Sequence, residues 1–215
     1  MARGRLITIE GLDGAGKSTL ATSLQRELAK LIPTTPVELL REPGGVETSE
    51  RIRALVKDPS LSVYPRTEAL LYAAARAQLV EERLEPLIEQ GAIVLLDRFV
   101  DSSLAYQGAG RSLGIDAIRA INSFATGPLA PDRTLLLRIS PAEGRRRQHG
   151  RGEEPDRLEL ENESFFAAIA SAYDELARQE PQRIRVLDAT LPPGDLLDEA
   201  IASIEDLLKE RSPPQ

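Results

Sequence analysis

Residues 11–19 read GLDGAGKST, between a short apolar run, Leu6-Ile7-Thr8-Ile9, and a helical-looking one, Leu20-Ala21-Thr22-Ser23-Leu24. Gly11, Gly16, Lys17 and Ser18 fill the four fixed places of the phosphate-loop pattern, in the strand-then-helix setting it requires. Glycines at this junction let the backbone wrap until successive N–H groups point inward, and the helix dipole adds roughly half a positive charge at the same end. The segment Gly11, Asp13, Gly14, Ala15, Gly16, Lys17, Ser18 and Thr19 is therefore read as a cradle for a nucleoside triphosphate. Lys17 reaches the β- and γ-phosphates, and the Ser18 hydroxyl is placed to ligate Mg²⁺.

The rest of the chain agrees with that junction. Strand-like runs recur at Leu6–Ile9, Val37–Leu40, Ile93–Leu96, Thr134–Ile139 and Ile184–Leu187, each followed by turn residues and a longer helical pattern. Several runs are apolar throughout rather than alternating, as strands covered on both faces are. The expected fold class is α/β: a doubly wound, five-stranded parallel sheet flanked by helices, in one domain over residues 1–215. Ser140-Pro141-Ala142-Glu143 carries a capping hydroxyl, a first-turn proline and a glutamate three residues on, so a helix starts there. A helix from about Thr67 to Gln90-Gly91 has Leu70, Leu71, Ala74, Ala77, Leu84, Leu87 and Ile88 as its expected core stripe, with Tyr72, Arg76, Leu79 and Arg83 on another. Residues 144–157, GRRRQHGRGEEPDR, offer almost nothing to bury and are read as a mobile, arginine-rich lid; residues 211–215 are read as a frayed tail.

Composition removes much alternative chemistry. The 215 residues include no cysteine and one histidine, His149, which excludes disulfides, thiolate zinc sites, thiol nucleophiles and multi-histidine metal centres. A formal net charge of −7 argues against binding a nucleic-acid polymer across the surface. Neither a signal-peptide core nor a run of about 18 apolar residues is present, so a cytoplasmic protein with no membrane segment is expected.

Val94-Leu95-Leu96-Asp97-Arg98 is the second informative element, an apolar strand that delivers an acid at the edge where such sheets bind ligands; Asp97 is the candidate to sit near the metal, directly or through water. Arginines gather beside turn residues: Arg41 in REPGG, Arg76, Arg98, Arg111 in YQGAGR, and the lid run. A phosphate monoester acceptor is already an anion at neutral pH, with its second pKa near 6, so its phosphorylation calls for cations and positioning more than for a base.

The segments GLDGAGKST, REPGG, LLYAAARAQ, DRFVDSSLAYQGAGR and PDRLELE fall in the order and spacing of bacterial thymidylate kinases, and the chain resembles that family over most of residues 5–190. The resemblance implies transfer of the ATP γ-phosphate to dTMP, giving dTDP, with Mg²⁺, in a homodimer. It implies Asp13 near the acceptor sugar and metal, Arg41 and Arg98 on the acceptor phosphate, Tyr72 stacked on thymine, Arg76 at its edge, Ser103 at the base, and Tyr106 where a ribose 2′-OH would intrude. No arginine lies between Gly11 and Lys17, so the resemblance points to the lid for the transition-state cation, with Arg147 and Arg151 as candidates. Catalysis is thereby expected of Lys17, Asp13, Arg98, Arg147 and Arg151. Ala75 stands where the family usually has an aspartate, Leu79 where histidine is common and Val46 where threonine often follows the glycines. Two other readings fit the loop: a kinase for another nucleotide or a deoxynucleoside, and a nucleotide-dependent binding switch.

Overall fold

The computed structural model describes residues 3–150 and 156–209. The chain runs β1 (Arg5–Gly11), α1 (Lys17–Leu31), β2 (Val37–Arg41), α2 (Glu47–Lys57) and α3 (Pro65–Leu79). A π-turn over Val80–Leu84 leads to α4 (Glu85–Glu89), then β3 (Ile93–Asp97), α5 (Val100–Ser103), a second π-segment over Leu104–Gly110, and α6 (Ile115–Thr126). The last third is β4 (Arg133–Arg138), α7 (Pro141–His149), α8 (Glu163–Gln179), β5 (Ile184–Asp188), α9 (Pro193–Ala202) and α10 (Glu205–Lys209). All four strand pairings are parallel, in the order β2-β3-β1-β4-β5. The connection leaving β1 therefore runs to one side of the sheet and that leaving its neighbour β3 to the other, and the crevice beyond their C-terminal ends is where such sheets bind ligands.

The three inner strands are buried nearly end to end, as their apolar runs require. The pleat decides which polar residues face which layer. Leu6, Thr8 and Glu10 share one face of β1, and Leu6 packs with Val94, Leu96, Leu79, Leu84 and Ile88. Ile7 and Ile9 point the other way, into the cluster that holds Leu20, Leu24 and Leu28 of α1.

The long helix after Pro65 departs from its expected form. Pro86 has no N–H to give, and the ladder adjusts before it: the Glu85 N–H bonds the Val80 carbonyl five residues back. Its core stripe is also turned from the one the leucines suggest. Ala69, Ala73, Ala75, Arg76 and Leu79 are buried, whereas Leu70 is 56% exposed and Ala74 is exposed. Small side chains are what let α2 come close, with the Ser49 hydroxyl donating to the Ala75 carbonyl at 2.7 Å. Only the second half of the expected stripe, Leu84 and Ile88, is core.

The Ser140 cap is formed, its Oγ accepting the Glu143 N–H, but α7 runs on to His149 and so occupies the first part of the stretch read as a lid. Contacts that the amino-acid pattern hid hold it. Arg145 lies over the Phe166 ring at 5.0 Å, and at Gly144 a β-carbon would come within 2.7 Å of the Asp13 carbonyl. The tail residues 211–215 and Arg151 lie outside the described residues.

Candidate active site

Beyond the C-terminal ends of β1, β2 and β3 opens a cavity of about 550 Å³. Asp13, Gly14, Gly16, Lys17, Ser18, Thr19, Arg41, Tyr72, Arg76, Asp97, Arg98, Ser103 and Tyr106 all line it, drawn from four separate stretches of chain. Gly11 and Ala15 support the loop from behind: a β-carbon at Gly11 would strike the Leu137 carbonyl, and Ala15 is buried.

The phosphate loop is built as an anion site. Gly16 caps α1 in the left-handed region at φ 93°, with no side chain accepting from the first turn and no acid within it. Its helix-start amides are thus left for an external anion. A β-carbon at Gly16 would meet nothing within 4 Å, so the backbone borders open space, while one at Gly14 would collide with the Gly144 carbonyl. The Lys17 ammonium donates to the Leu12 carbonyl at 2.8 Å and lies 3.7 Å from Asp13 Oδ1. Burial first, and the Arg98 cation second, push the Lys17 pKa down to about 8 against the pull of Asp13, Asp97 and Glu10.

At the end of β3 the pleat turns Asp97 toward α1, and the Ser18 hydroxyl donates to its Oδ2 at 2.7 Å. A hydroxyl beside a carboxylate, next to a loop for phosphate oxygens, is a hard-oxygen donor set that fits Mg²⁺. Among the described residues no three acids or histidines cluster to make a self-sufficient metal site, so a metal here would draw its other ligands from phosphates and water.

Arg98 joins the two ends of the cavity. It sits in the left-handed region at φ 72° between β3 and α5, and its guanidinium bonds Asp13 Oδ1, the Tyr106 hydroxyl at 3.1 Å and the Ser102 hydroxyl at 3.0 Å. The Tyr106 hydroxyl in turn donates to Asp13 Oδ2 at 2.9 Å. Burial alone would raise the Asp13 pKa, but Arg98, Lys17 and Tyr106 together hold that carboxyl well below the usual range. Tyr106 is carried on the second π-segment, where the Arg111 N–H reaches back five residues to the Tyr106 carbonyl.

The other acceptor-side residues are placed as follows. Arg41 is exposed and paired with Glu50 at 3.0 and 3.1 Å. Tyr72 is half-buried, and burial foremost raises its phenol pKa. Arg76 is only 2% exposed and already saturated. It donates to Glu42 at 2.7 Å, to Ser103 at 3.0 Å, to Asn122 and to the Phe99 carbonyl at 2.9 Å. Ala75 leaves no acid beside it on its own helix; Glu42 of the REPGG turn supplies one, with burial first pushing the Glu42 pKa up to about 7 in spite of Arg76. A contact from Arg76 to a ligand thus requires it to exchange a protein partner, and of its partners Glu42 and Ser103 also line the cavity.

The arginine run does not enter the cavity. Arg147 donates to Glu143 at 2.8 Å and to the Ala189 carbonyl at 2.9 Å, Arg146 is clamped by Glu143 at 2.6 Å, and Arg145 bonds the Glu161 carbonyl at 2.5 Å. In this arrangement Glu143, one turn earlier, and the Ala189 carbonyl hold Arg147 outside the cavity lining. Phe165, Phe166 and Tyr173 are core residues.

Sequence reasoning passed over several residues that line the cavity: Glu42, Arg53, Lys57, Ser102, Gln107 and Asp156. Glu42, Ser102 and Gln107 lie inside motifs that had been singled out, one step from assigned positions. Arg53 and Lys57 gave no signal, since ETSERIRALVK reads as an ordinary solvated helix.

The family model described as thymidylate kinase matches residues 9–200. A thymidylate kinase of Bacillus pumilus is 42% identical over 209 residues, covering 96% of this chain and 98% of that protein. One of Deinococcus radiodurans is 45% identical over 206 residues, covering 96% and 98%. The crystal structure of thymidylate kinase from Ehrlichia chaffeensis superposes with a TM-score of 0.78 at 25% identity, covering 94% of this chain and 99% of that one.

Proposed function

The chain belongs to the thymidylate kinase family, and from that premise we propose how its cavity transfers the γ-phosphate of ATP to dTMP, giving dTDP and ADP for dTTP synthesis. The observation that carries the reading is Arg98, whose guanidinium is tied to Asp13 of the phosphate loop while lining one continuous cavity with Arg41 and Tyr72. Donor and acceptor phosphates held at the two ends of that cavity meet across Arg98.

ATP lies with its phosphates on the open amides of the loop and on Lys17. Mg²⁺ would be held by the Ser18 hydroxyl with Asp97 behind it, and would supply charge neutralisation for the phosphates. The dTMP phosphate is gripped by Arg98 and Arg41, which brings two polyanions into line at a cost the cations offset. Its oxygen is already anionic at neutral pH, so no residue need act as a base. Tyr72 offers a face to thymine, Arg76 and Ser103 its polar edge, and Tyr106 closes the space a 2′-OH would need. Asp13 keeps Arg98 and Lys17 aimed and stands near the acceptor sugar and metal. Gly144 abuts the loop and Arg147 lies three residues on along the same helix face, so Arg147, with Arg151, takes up charge on the moving phosphoryl group once it leaves Glu143. A homodimer and a cytoplasmic location belong to the same proposal; Phe124 of α6, 93% exposed, and Leu70 of α3 offer an apolar face that a second copy can cover.

Incubating the protein with ATP, Mg²⁺ and a panel of nucleotides and nucleosides tests the reading. ADP should form fastest with dTMP. Fast ADP formation with thymidine but not dTMP would replace it by a nucleoside kinase.

A further inference from the structure

The last-but-one residue of β1, Glu10, is wholly buried and takes no part in the chemistry above. Its Oε1 accepts the Phe99 N–H at 2.7 Å and the Ser102 N–H at 3.3 Å; its Oε2 accepts the Ser102 hydroxyl at 2.5 Å and the Tyr173 hydroxyl at 2.9 Å. Those two amides bracket the start of α5, the turn that follows Arg98 in its left-handed conformation.

Ser102 is the link. A hydroxyl has one proton to give and lone pairs to receive with. Ser102 Oγ receives from Arg98 Nη1 at 3.0 Å and gives its proton to Glu10. Arg98, Ser102 and Glu10 thus form a directed chain, cation to hydroxyl to carboxylate, in which each bond polarises the next. Asp13 and Tyr106 hold the other terminal nitrogen, Nη2, from the cavity side. With three of its five N–H groups so engaged, two have no partner among the described residues.

We propose that Glu10 is a positioning residue for the acceptor phosphate: through Ser102 it fixes the orientation of the Arg98 guanidinium, which lines the cavity. The inference rests on the reading that Arg98 grips the phosphate of dTMP. The burial of a carboxylate at this point has a reason in that case, since the family's chemistry needs the cation aimed, and an isolated buried anion is otherwise unfavourable.

The test compares dTMP with thymidine, the same ligand without its phosphate, by calorimetric titration of wild type, Ser102→Ala, Glu10→Gln and Arg98→Ala, with melting temperatures recorded for each. Ser102→Ala deletes one hydroxyl and serves if Glu10→Gln fails to fold. Misaiming a charge-assisted contact should weaken dTMP binding about 10-fold while thymidine binding stays within about 2-fold. A general loosening of the pocket would instead weaken both ligands together, and that result overturns the proposal. So does an unchanged dTMP-to-thymidine ratio in Ser102→Ala when Arg98→Ala lowers it. If Arg98→Ala itself leaves the ratio unchanged, the phosphate reading of Arg98 fails, and this inference falls with it.

Discussion

Replacing Arg98 by alanine is the perturbation whose consequences the structure fixes most fully. The guanidinium has two N–H groups without a partner among the described residues, its other three being taken by Asp13, Tyr106 and Ser102. Two charge-assisted hydrogen bonds to a phosphate contribute about 1.5–3 kcal/mol each, so kcat/KM for dTMP should fall by about 10²–10⁴-fold. Because the same cation meets the donor end through Asp13, the loss should divide between KM and kcat rather than sit in KM alone. A second effect follows from charge. Arg98 is the largest influence holding the Asp13 carboxyl below its usual range, so its removal lets that pKa rise. A depressed carboxylate loses its anion only at very acid pH; once the pKa rises, the acid limb of the pH–rate profile should move upward in Arg98→Ala. Steady-state kinetics with dTMP varied at saturating ATP, repeated from about pH 5 to 9, measures both. A variant whose KM and kcat both stay within about threefold of wild type would refute the reasoning, since contacts of this kind cannot be so weak in a closed site.

Three further outcomes are expected. Lys17 has its pKa pushed down to about 8, chiefly by burial, and bound polyphosphate must raise it again; ATP binding near pH 8 should therefore take up about half a proton, seen as a buffer-dependent calorimetric enthalpy, and a buffer-independent enthalpy would contradict the assignment. Glu42 has a folded-state pKa raised to about 7 from 4.5, a shift whose stabilisation is complete below the unfolded value and is lost as pH rises through the folded one. Wild type should thus gain stability over Glu42→Gln as pH falls from about 8 to 5 in urea titrations, and a flat difference would argue that the carboxyl titrates normally. Gly14→Ala must place a side chain at φ 82° and against the Gly144 carbonyl; a loss of about 1–3 kcal/mol in stability with weakened ATP binding is expected, and unaltered melting and ATP affinity would mean that α7 does not press on the loop.

The parts of this protein that sequence made legible are those whose signals are local. A phosphate loop is defined by eight consecutive residues, and the buried strands by short apolar runs, so each of the five lies within two residues of its expected bounds. The long helix misled because the face it buries is made of Ala69, Ala73 and Ala75, which carry little hydrophobic signal, while Leu70 points outward. The lid arginines looked free because their partners, Phe166 and the carbonyls of Glu161 and Ala189, lie well outside the run. The acid that orients Arg76 is 34 residues away, and the Glu10 link to Ser102 spans 92. Pairings of that reach are set by the order of strands in the sheet, and no spacing along the chain announces them.

The account depends most on two nucleotides meeting across Arg98, and a crystal structure with dTMP and a non-hydrolysable ATP analogue bound together would measure that directly. The dTMP phosphate should lie within hydrogen-bond distance of the Arg98 guanidinium, with thymine against Tyr72 and the analogue's terminal phosphate at Lys17. A dTMP bound clear of Arg98 and Tyr72, with the analogue still seated on the loop, would contradict it.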